Sequence, residues 1–569
     1  MMPPRLAVAL TMALAVPATA AAREEVVRSL DKAVTLAPGR SVRVSHEHGD
    51  VALRAGAGRE VTVRARIWAS ADTRAAAEDY AGRVRVEVLE DAASLSLRTV
   101  PPDLGPGSPD QSLSVDLEIT VPETAPLSVR SSFGDVTASG FKSSVEIVNS
   151  HGRIGLGDVQ GDARLQNEFG LVEAERIGGT LTVVSTNAPV SVTDVAGALT
   201  VSDRFADVTV RQAREAVTLT VSNANVEVSE AGGPVRIADS FCRVLIAKVD
   251  GELKVENRNG RVEARGVRGA LVLDSAEGEM VFSEAGSRVV VTSTAGRVSG
   301  TTAKGPVRIR NTDGAVGLRD VRGDVDVQNT RGPVRVADVR GTVAVTNGLA
   351  DVEVAGIQGS ASVENARGAI LVRDVSGAVT LRGRQGRIEA SHVGGRVEVS
   401  GANGDVSVAD AGGAVVIRNS SGLAQAVRVG PLTVDSADAA VWATTVKGPV
   451  AVHTSSASVV LSDVDGSVDV QNQGGGVELS GFTPKGPQGC HRVSLATSFA
   501  PIKLTLPDGV GFDVTAHASL GKIRSPLSLA NAGATGSFVG PVGGGGCEVT
   551  LANTNGDITL VPGGATARR

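Results

Sequence analysis

The stretch Gly323-Asp-Val-Asp-Val-Gln-Asn-Thr-Arg331 is followed by Gly332-Pro-Val-Arg-Val-Ala-Asp-Val-Arg340, and Gly341 begins the next copy. The repeat is 18 residues long, divides into two halves of nine, and is best kept between Gly305 and Asn419. Within it, Val alternates with charged or small residues, which indicates strands with Val inward and charge outward. Glycine at a fixed interval marks the turns.

The repeat extends well beyond this stretch, from about Leu127 to residue 480, which makes about 20 coils that stack at roughly 4.8 Å. After Gly413 the next glycine of its phase is Gly430, a step of 17, which indicates a single-residue deletion. No coil could bury its Val residues alone, so stability must come from stacking. We predict an all-β fold, a single-stranded parallel β-helix (β-solenoid) about 95 Å long. The six-residue period of left-handed acyltransferase helices is absent, which favours a right-handed helix.

Residues 1–22 have the features of a secretory signal peptide. Arg5 supplies the positive charge, Leu6–Val16 the short apolar run, and Ala18-Thr-Ala20 the small residues before cleavage near Ala20–Ala22. The apolar run is too short to span a bilayer, and no later stretch competes with it. We therefore predict an exported bacterial protein without a transmembrane segment, either periplasmic or extracellular.

Residues 23–126 are predicted to form an N-terminal cap that covers the exposed edge of the first coil. Its apolar residues alternate as in strands, apart from an alanine-rich segment that ends at Arg83. That segment predicts a short helix capped by Ser70 or Asp72. Pro101–Pro109 is a loop by composition.

The solenoid is predicted to span 127–485 and a C-terminal β cap 486–569. The cap contains Cys490 and Cys547, which we expect to pair because disulfides persist in exported proteins. Closing that loop would stabilise the cap by roughly 4 kcal/mol in the chain-entropy model. Cys242 lies in a turn phase otherwise held by small residues and is expected to be a free thiol.

The closing segments resemble a known family. They are Leu504-Thr-Leu-Pro-Asp-Gly-Val-Gly-Phe-Asp-Val514, Ser519-Leu-Gly-Lys-Ile523 and Asn553-Thr-Asn-Gly-Asp-Ile-Thr-Leu560. Together with the repeated Gly-Asp-Val-x-Val phrases, they are similar to the bacterial "putative adhesin" β-strand-repeat family, a domain of unknown function. The resemblance implies an exported β-solenoid, and it brings no catalytic residues with it.

One phase of the repeat holds small polar residues, here called the polar column. Its asparagines are Asn149, Asn167, Asn257, Asn311, Asn329, Asn347, Asn365 and Asn419. They could form a strip that reads a ligand, but Ser, Asp and Gly substitute for them, as at a turn. We therefore predict a structural asparagine ladder, in which stacked amides bond along the solenoid at a corner of the coil.

A second phase, here called the acidic column, places aspartate just before an inward apolar residue. Its members are Asp158, Asp194, Asp320, Asp338, Asp374, Asp410 and Asp463. Calcium-binding nonapeptide arrays also combine Gly and Asp, but they need a carboxylate in every turn. Because a hard cation takes six to eight oxygen ligands, solvated turn residues are the expectation.

An enzyme is an alternative interpretation, because β-helices include polysaccharide lyases and hydrolases. Glycoside cleavage needs two carboxylates that face one sugar, and Trp68, Trp442 and Tyr80 are too scattered in sequence to form a platform beside them. The pair His46 and His48 could share a strand face, but a third metal ligand is missing nearby. We predict no catalytic site, no cofactor and no metal.

The sequence therefore predicts a non-enzymatic exported scaffold, adhesin-like, that contacts a protein or glycan partner of the bacterial envelope or surface. The alternative is a carbohydrate-binding or carbohydrate-cleaving β-helix protein. A net charge of -6 on 569 residues gives no basic footprint for nucleic acid. Self-association stays open.

Overall fold

A computed structural model of the chain describes residues 23–102, 111–527 and 536–563. Residues 1–22, predicted to be a signal peptide, and most of the predicted Pro101–Pro109 loop lie outside these residues. The chain forms two compact units, Met1–Ala206 and Asp207–Arg569. In each unit, parallel coils about 18 residues apart stack on one another, which confirms the predicted all-β solenoid.

The described part of the first unit contains strands β1 to β16 and the helix α1 (Arg74–Arg83). In chain order the strands are Glu24–Thr35, Ser41–Ser45, Val51–Gly56, Glu60–Ala71, Arg85–Glu90, Ser94–Val100, Ser112–Pro122, Leu127–Phe133, Val136–Ser139, Val145–His151, Ile154–Val159, Ala163–Phe169, Val172–Ile177, Leu181–Thr186, Val190–Val195 and Leu199–Arg204.

The helix begins later than predicted. Thr73 is its N-cap and accepts a hydrogen bond from the Ala76 backbone N–H at 3.3 Å. Neither Ser70 nor Asp72 caps it, because β4 continues to Ala71 and pairs with β1 along its whole length. Pairing with β1 therefore holds Ser70 in an extended conformation.

The N-terminal segment is continuous with the coils. Strands β2 and β3 form a coil layer of their own, paired in parallel with β8 and β9 of the first regular coil. On their other side, β2 and β3 pair in parallel with β6 and β7. The antiparallel pairs β1–β4, β4–β7 and β5–β6 then end the stack. Such pairs cover a parallel edge that would otherwise be free.

The second unit contains strands β17 to β54 among its described residues. Strands β17 to β39 are Val208–Ala213, Val217–Ser222, Asn225–Ala231, Val235–Ser240, Arg243–Val249, Leu253–Asn259, Val262–Val267, Leu271–Glu277, Met280–Ala285, Val289–Ala295, Val298–Ala303, Val307–Asp313, Val316–Val321, Val325–Arg331, Val334–Val339, Val343–Leu349, Val352–Ile357, Ala361–Arg367, Ile370–Val375, Val379–Gln385, Ile388–Val393, Val397–Asn403 and Val406–Ala411. Strands β40 to β54 are Val415–Val429, Leu432–Lys447, Val450–Thr454, Val459–Asp465, Val468–Asn472, Val477–Ser480, Lys485–Gly486, Gly489–Cys490, Val493–Thr497, Ile502–Leu506, Phe512–Ala518, Ile523–Arg524, Ser537–Val542, Cys547–Asn553 and Ile558–Pro562.

Each regular coil contributes one strand to each of two parallel sheets, and its inward residues form the core. In the coil quoted above, Val325, Val327, Val334, Val336 and Val339 are all buried. Each lies against the residue 18 positions away in the next coil. Fully burying a Val side chain is worth about 1.5–3 kcal/mol. Each added coil therefore buries a further set of Val side chains, and each of them contributes a free energy of this size.

The one-residue deletion near Gly430 shortens a corner of the coil and does not change the register of the strands. Ala411 still pairs with Val429, a step of 18, whereas Val415 pairs with Leu432, a step of 17. The shortened segment therefore lies between Val429 and Leu432. A turn can lose a residue without moving the inward side chains, whereas a strand cannot.

The coil stack continues past Gly486, where the sequence pattern ends. Strand β48 pairs with β44 at a step of 25, because the hairpin β46–β47 is inserted between them. The last two strands then return: β53 and β54 pair with β48 and β49 at a step of 56. Strands β50 and β51 lie on the outer side of β53 and β54. The C-terminal cap is therefore built out of chain order.

No helix in the described part of the chain is long and apolar enough to cross a membrane.

Candidate functional site

The polar column lies inside a corner of the coil. Asn149, Asn167, Asn257, Asn311, Asn329, Asn347, Asn365 and Asn419 are all buried. Their side-chain amides mostly donate to backbone carbonyls of the turn, as Asn167 Nδ2 does to Gly170 O at 2.8 Å and to Gly152 O of the preceding coil at 2.9 Å. Each amide thereby satisfies buried carbonyls that have no strand partner.

Amide-to-amide bonds, which an asparagine ladder would repeat throughout, are found only in part of the column. Among the described residues, Asn311 donates to Asn329 at 3.1 Å and Asn329 to Asn347 at 3.2 Å. The two glycine steps have a packing cause: a Cβ at Gly383 would lie 2.9 Å from Ile388 Cδ1, and one at Gly401 would lie 2.7 Å from Asn419 Oδ1. Buried amides give no ligand access to this column.

Asp239 occupies the polar column and departs from its chemistry. It is buried, and neither carboxylate oxygen has a hydrogen-bond partner among the described residues. Desolvation raises the pKa of this carboxyl to about 7. The position therefore favours a neutral side chain, as Asn257 supplies one coil further along.

The acidic column marks a backbone conformation. Asp158, Asp194, Asp320, Asp338, Asp374, Asp410 and Asp463 all have φ between 53° and 56°. This left-handed region is open to few L-residues, and Asp is among those that enter it most readily. Neighbours in the column form exposed ion pairs between coils, such as Asp158 with Arg176 at 2.6 Å and Asp410 with Arg428 at 2.6 Å.

No group of three or more His, Cys, Asp or Glu able to hold a metal occurs within the described ranges. The idea that His46 and His48 share one face is wrong. His46 is buried and bonds to Thr99 Oγ1 at 3.0 Å, and burial lowers the pKa of its imidazole. His48 is exposed, because β2 ends at Ser45 and the backbone of residues 46–48 no longer follows the regular strand geometry that would put both side chains on one face.

Four aromatic rings stack at the surface of the first unit and form what we call the ring stack: His48, Phe133, His151 and Phe169. Their centroids are 5.2, 4.8 and 4.9 Å apart, with ring planes about 20° from parallel. Each ring lies one coil beyond the last, as the register of β8, β10 and β12 requires. Phe133 and Phe169 are nonetheless 47% and 44% exposed.

The ring stack had a sequence signature that the strand pattern did not reveal. Phe133, Phe169, Phe205 and Phe241 are spaced by 36 residues, or two coils. In the first unit Phe205 is 59% exposed and has φ 71°, and in the second Phe241 is 64% exposed with φ 61°. A bulky residue at positive φ is a backbone outlier, and such outliers cluster at functional positions.

A groove of about 780 Å³ crosses the outer face of a parallel sheet in the first unit. Arg43, Arg98, Arg130 and Arg164 line it, and we call it the arginine groove. Two carboxylates, Glu146 and Asp162, also line it, as do serine and threonine hydroxyls. Both carboxylates are engaged: Glu146 accepts from Ser128 Oγ at 3.1 Å and Asp162 from Thr180 N at 2.8 Å. The bonds from Thr180 hold the pKa of Asp162 below its usual range.

The cysteines occupy different environments. Cys490 on the inserted hairpin is bonded to Cys547 at the start of β53, with an S–S distance of 2.11 Å. The bridge joins the hairpin to the strand that returns into the stack. Cys242 is buried and unbridged, and its Sγ lies 3.3 Å from Ser240 O. Burial raises the pKa of this thiol.

Tyr80, Trp68 and Trp442 differ in their surroundings. In the first unit Tyr80 is buried on α1, whereas Trp68 is exposed and donates from Nε1 to Asp116 Oδ2 at 3.2 Å. In the second unit Trp442 is exposed on β41.

Comparisons with solved structures return bacterial proteins. A chain described as a "putative cell adhesion protein" from Clostridium sporogenes is 11% identical, with a TM-score of 0.17, and the match covers 37% of this chain and 100% of the other. A "putative adhesin" from Parabacteroides merdae is 13% identical, with a TM-score of 0.14 and coverage of 60% and 96%. At these scores the likeness carries no functional argument. No protein-family profile matches the sequence, and no curated protein matches it.

Proposed function

We propose that this protein is an exported, non-enzymatic scaffold of the bacterial envelope, adhesin-like, that contacts a surface partner through the outward faces of its coils. The observation that carries the proposal is the exposed aromatic series. Only 2% of the residues are aromatic, yet Phe133, Phe169 and Phe205 face solvent in the first unit. Exposed apolar surface of this kind marks interaction sites.

The distribution of charge supports a binding role. Outward carboxylates of the coils commonly pair with a basic residue one coil away, as Asp326 does with Arg308 at 3.0 Å and Glu398 with Arg418 at 2.7 Å. A carboxylate held in such a pair is poorly placed as a general acid. Export is supported by the features of residues 1–22.

The proposal is tested with a fluorescently labelled chain that begins at Arg23. We expect saturable binding to intact bacterial cells or to isolated envelopes, weakened when Phe133 and Phe169 are both replaced by Ser. The matched control replaces the exposed Val27 and Val539, which lie outside the series, by Ser. Equal binding by all three proteins would contradict the role of the aromatic series.

Two further measurements test the proposed export and the proposed lack of enzymatic activity. Fractionation of cells should find the chain outside the cytoplasm, and deletion of residues 2–22 should retain it inside. Incubation with a panel of polysaccharides should release no reducing ends. Depolymerisation of any of these glycans would instead favour the alternative, a carbohydrate-cleaving β-helix protein.

A further inference from the structure

We infer that the arginine groove of the first unit binds a linear polysaccharide that carries carboxylate groups. This rests on the proposed function, because it assigns the surface partner of the scaffold to a chemical class. Some arginines of the chain form an ion pair with a carboxylate, and others do not.

The arginines of the groove lack the ion pairs that some other outward arginines make, such as Arg176 with Asp158. None of Arg43, Arg98, Arg130 and Arg164 forms a salt bridge with another residue of the described ranges. Backbone hydrogen bonds and, to a smaller extent, the charge of Arg43 lower the pKa of the nearby Asp91. Four arginines against two carboxylates leave the lining with a formal charge of +2. The net charge of the whole chain has the opposite sign. The groove is therefore a local positive site on an acidic protein.

A second groove, on the coils of the second unit, shows the ordinary arrangement. It is lined by Arg319, Arg335 and Arg373 among others. Arg335 and Arg373 both pair with Glu353, at 3.4 and 2.7 Å. Arg319 pairs with Asp338 at 3.3 Å, so each of these arginines has a carboxylate partner, and this groove serves as an internal control.

The strand register explains how the arginines come to share one face. Ser45 of β2 lies directly between Arg98 of β6 and Arg130 of β8. Two strand spacings place these arginine positions about 9.6 Å apart. In the adjacent row, Arg43 and Arg164 lie in register with Ser128 and Glu146. The charges are therefore spaced along a line that runs across the strands.

The remaining lining has the chemistry of a sugar site. Ser96 and Thr182 add hydroxyl groups at the two ends of the row that holds Arg43 and Arg164, and these can exchange hydrogen bonds with sugar hydroxyls. The groove crosses six strands, from β6 through β2, β8, β10 and β12 to β14, a span of about 24 Å. An extended polyuronate carries a carboxylate on every sugar, and the carboxylates of alternate sugars would meet arginine along this line. Arginine binds carboxylates in a planar, bidentate manner.

The test titrates the chain from Arg23 with polygalacturonate, by calorimetry at low and at physiological salt. We expect binding that weakens with salt and is absent for the fully methyl-esterified polymer, which has the same backbone without charge. Arg98→Ala with Arg130→Ala should lower the affinity about tenfold or more, since each removes a hydrogen bond to a charged group. Arg98→Lys with Arg130→Lys should restore part of the loss.

The matched control is Arg335→Ala with Arg373→Ala, which should leave the affinity unchanged. All variants replace exposed side chains, and their unfolding midpoints report whether they fold. Equal binding of charged and esterified polymer, or equal loss in the control pair, would overturn the inference. So would a stronger response to inorganic polyphosphate, or salt-sensitive dimers that disappear in the Arg98/Arg130 variant.

Cell binding measured on the same proteins separates this inference from the proposed function. A chain that binds cells but not polygalacturonate overturns the inference alone. A chain that binds polygalacturonate through the groove but not cells supports the inference and contradicts the scaffold role.

Discussion

At the scale of single residues, the chain shows which departures from the repeat are costly. Asp239 places a carboxyl where the column elsewhere holds a neutral amide, and Phe205 places a large ring where the backbone favours Asn or Gly. Both residues satisfy the 18-residue pattern less well than their neighbours do. Each can therefore be replaced by the residue that the pattern favours.

Asp239→Asn should stabilise the second unit at alkaline pH. The folded carboxyl has a pKa of about 7, above its ordinary 3.8. Between these values the folded state holds a proton that the unfolded state has released, so the free energy of unfolding falls as pH rises. The loss approaches about 4 kcal/mol at pH 8. Urea unfolding from pH 4 to 8 should show the two proteins diverging with pH, and parallel curves would contradict the burial of this group.

Phe205→Asn should stabilise the first unit by about 0.5–1 kcal/mol. Asn187, on the same phase, has φ 54°, and Asn enters this region more readily than Phe does. The matched control is Phe169→Asn, where Gly170 has the positive φ of 104° and no backbone strain is relieved. Thermal unfolding of both variants tests this prediction. An equal rise of the unfolding midpoint in both would contradict backbone strain at Phe205.

At the scale of elements, side chains at the corners of the coil add to the stability that the strands supply. The polar column satisfies turn carbonyls, and the disulfide joins an inserted hairpin to a returning strand. In both cases a side chain stabilises backbone that strand pairing leaves unsatisfied or loosely held. The two features therefore give separate predictions.

Asn329→Ala should lower the free energy of unfolding by about 2–3 kcal/mol. Its amide donates to Gly332 O at 2.9 Å and to Asn347 Oδ1 at 3.2 Å, and it accepts from Asn311. The replacement leaves buried polar atoms without partners. Gln328→Ala, at the exposed neighbouring position of the same strand, should cost little. Denaturant unfolding measures both, and equal effects would sink the structural role of the column.

Cys490→Ser should destabilise the C-terminal cap by about 4 kcal/mol, given a sequence separation of 57 residues. Cys242→Ala is the control, because alanine already occupies this phase at Ala188 and Ala224. Limited proteolysis should cut the Cys490→Ser protein first between β48 and β53. Peptide mapping without reductant that finds Cys490 and Cys547 as free thiols would refute the bridge.

At the scale of the whole molecule, each regular coil contacts its immediate neighbours, so coils can be removed if the register is kept. Deletion of residues 323–340, one full coil, should give a folded protein with a similar unfolding midpoint. Deletion of 323–331, half a coil, exchanges the two sheets and should unfold the second unit. Circular dichroism and thermal unfolding compare the two, and equal stability would contradict nearest-neighbour stacking.

Much of this fold could be predicted because the repeat turns a tertiary contact into a local pattern. Val325 pairs with Val343 at a fixed offset of 18 residues. The alternation of apolar residues therefore predicts each strand, and the glycine spacing predicts which strand it pairs with. The candidate sites were less visible. The Phe series was present at its 36-residue spacing, but phenylalanine also fills cores, as buried Phe141 and Phe282 do. Whether a ring of the Phe series is exposed depends on the backbone conformation of the turn that follows its strand.

The sequence by itself determined the coil length, the inward Val residues and the corners of Asn and Gly, because these depend on neighbours one period away. The tertiary structure alone decided the start of α1, the return of β53 into the stack and the burial of Asp239. It also decided that Arg98 and Arg130 flank Ser45. That arrangement joins the first strand of the repeat to strands that precede it, where no periodicity relates one residue to its partner.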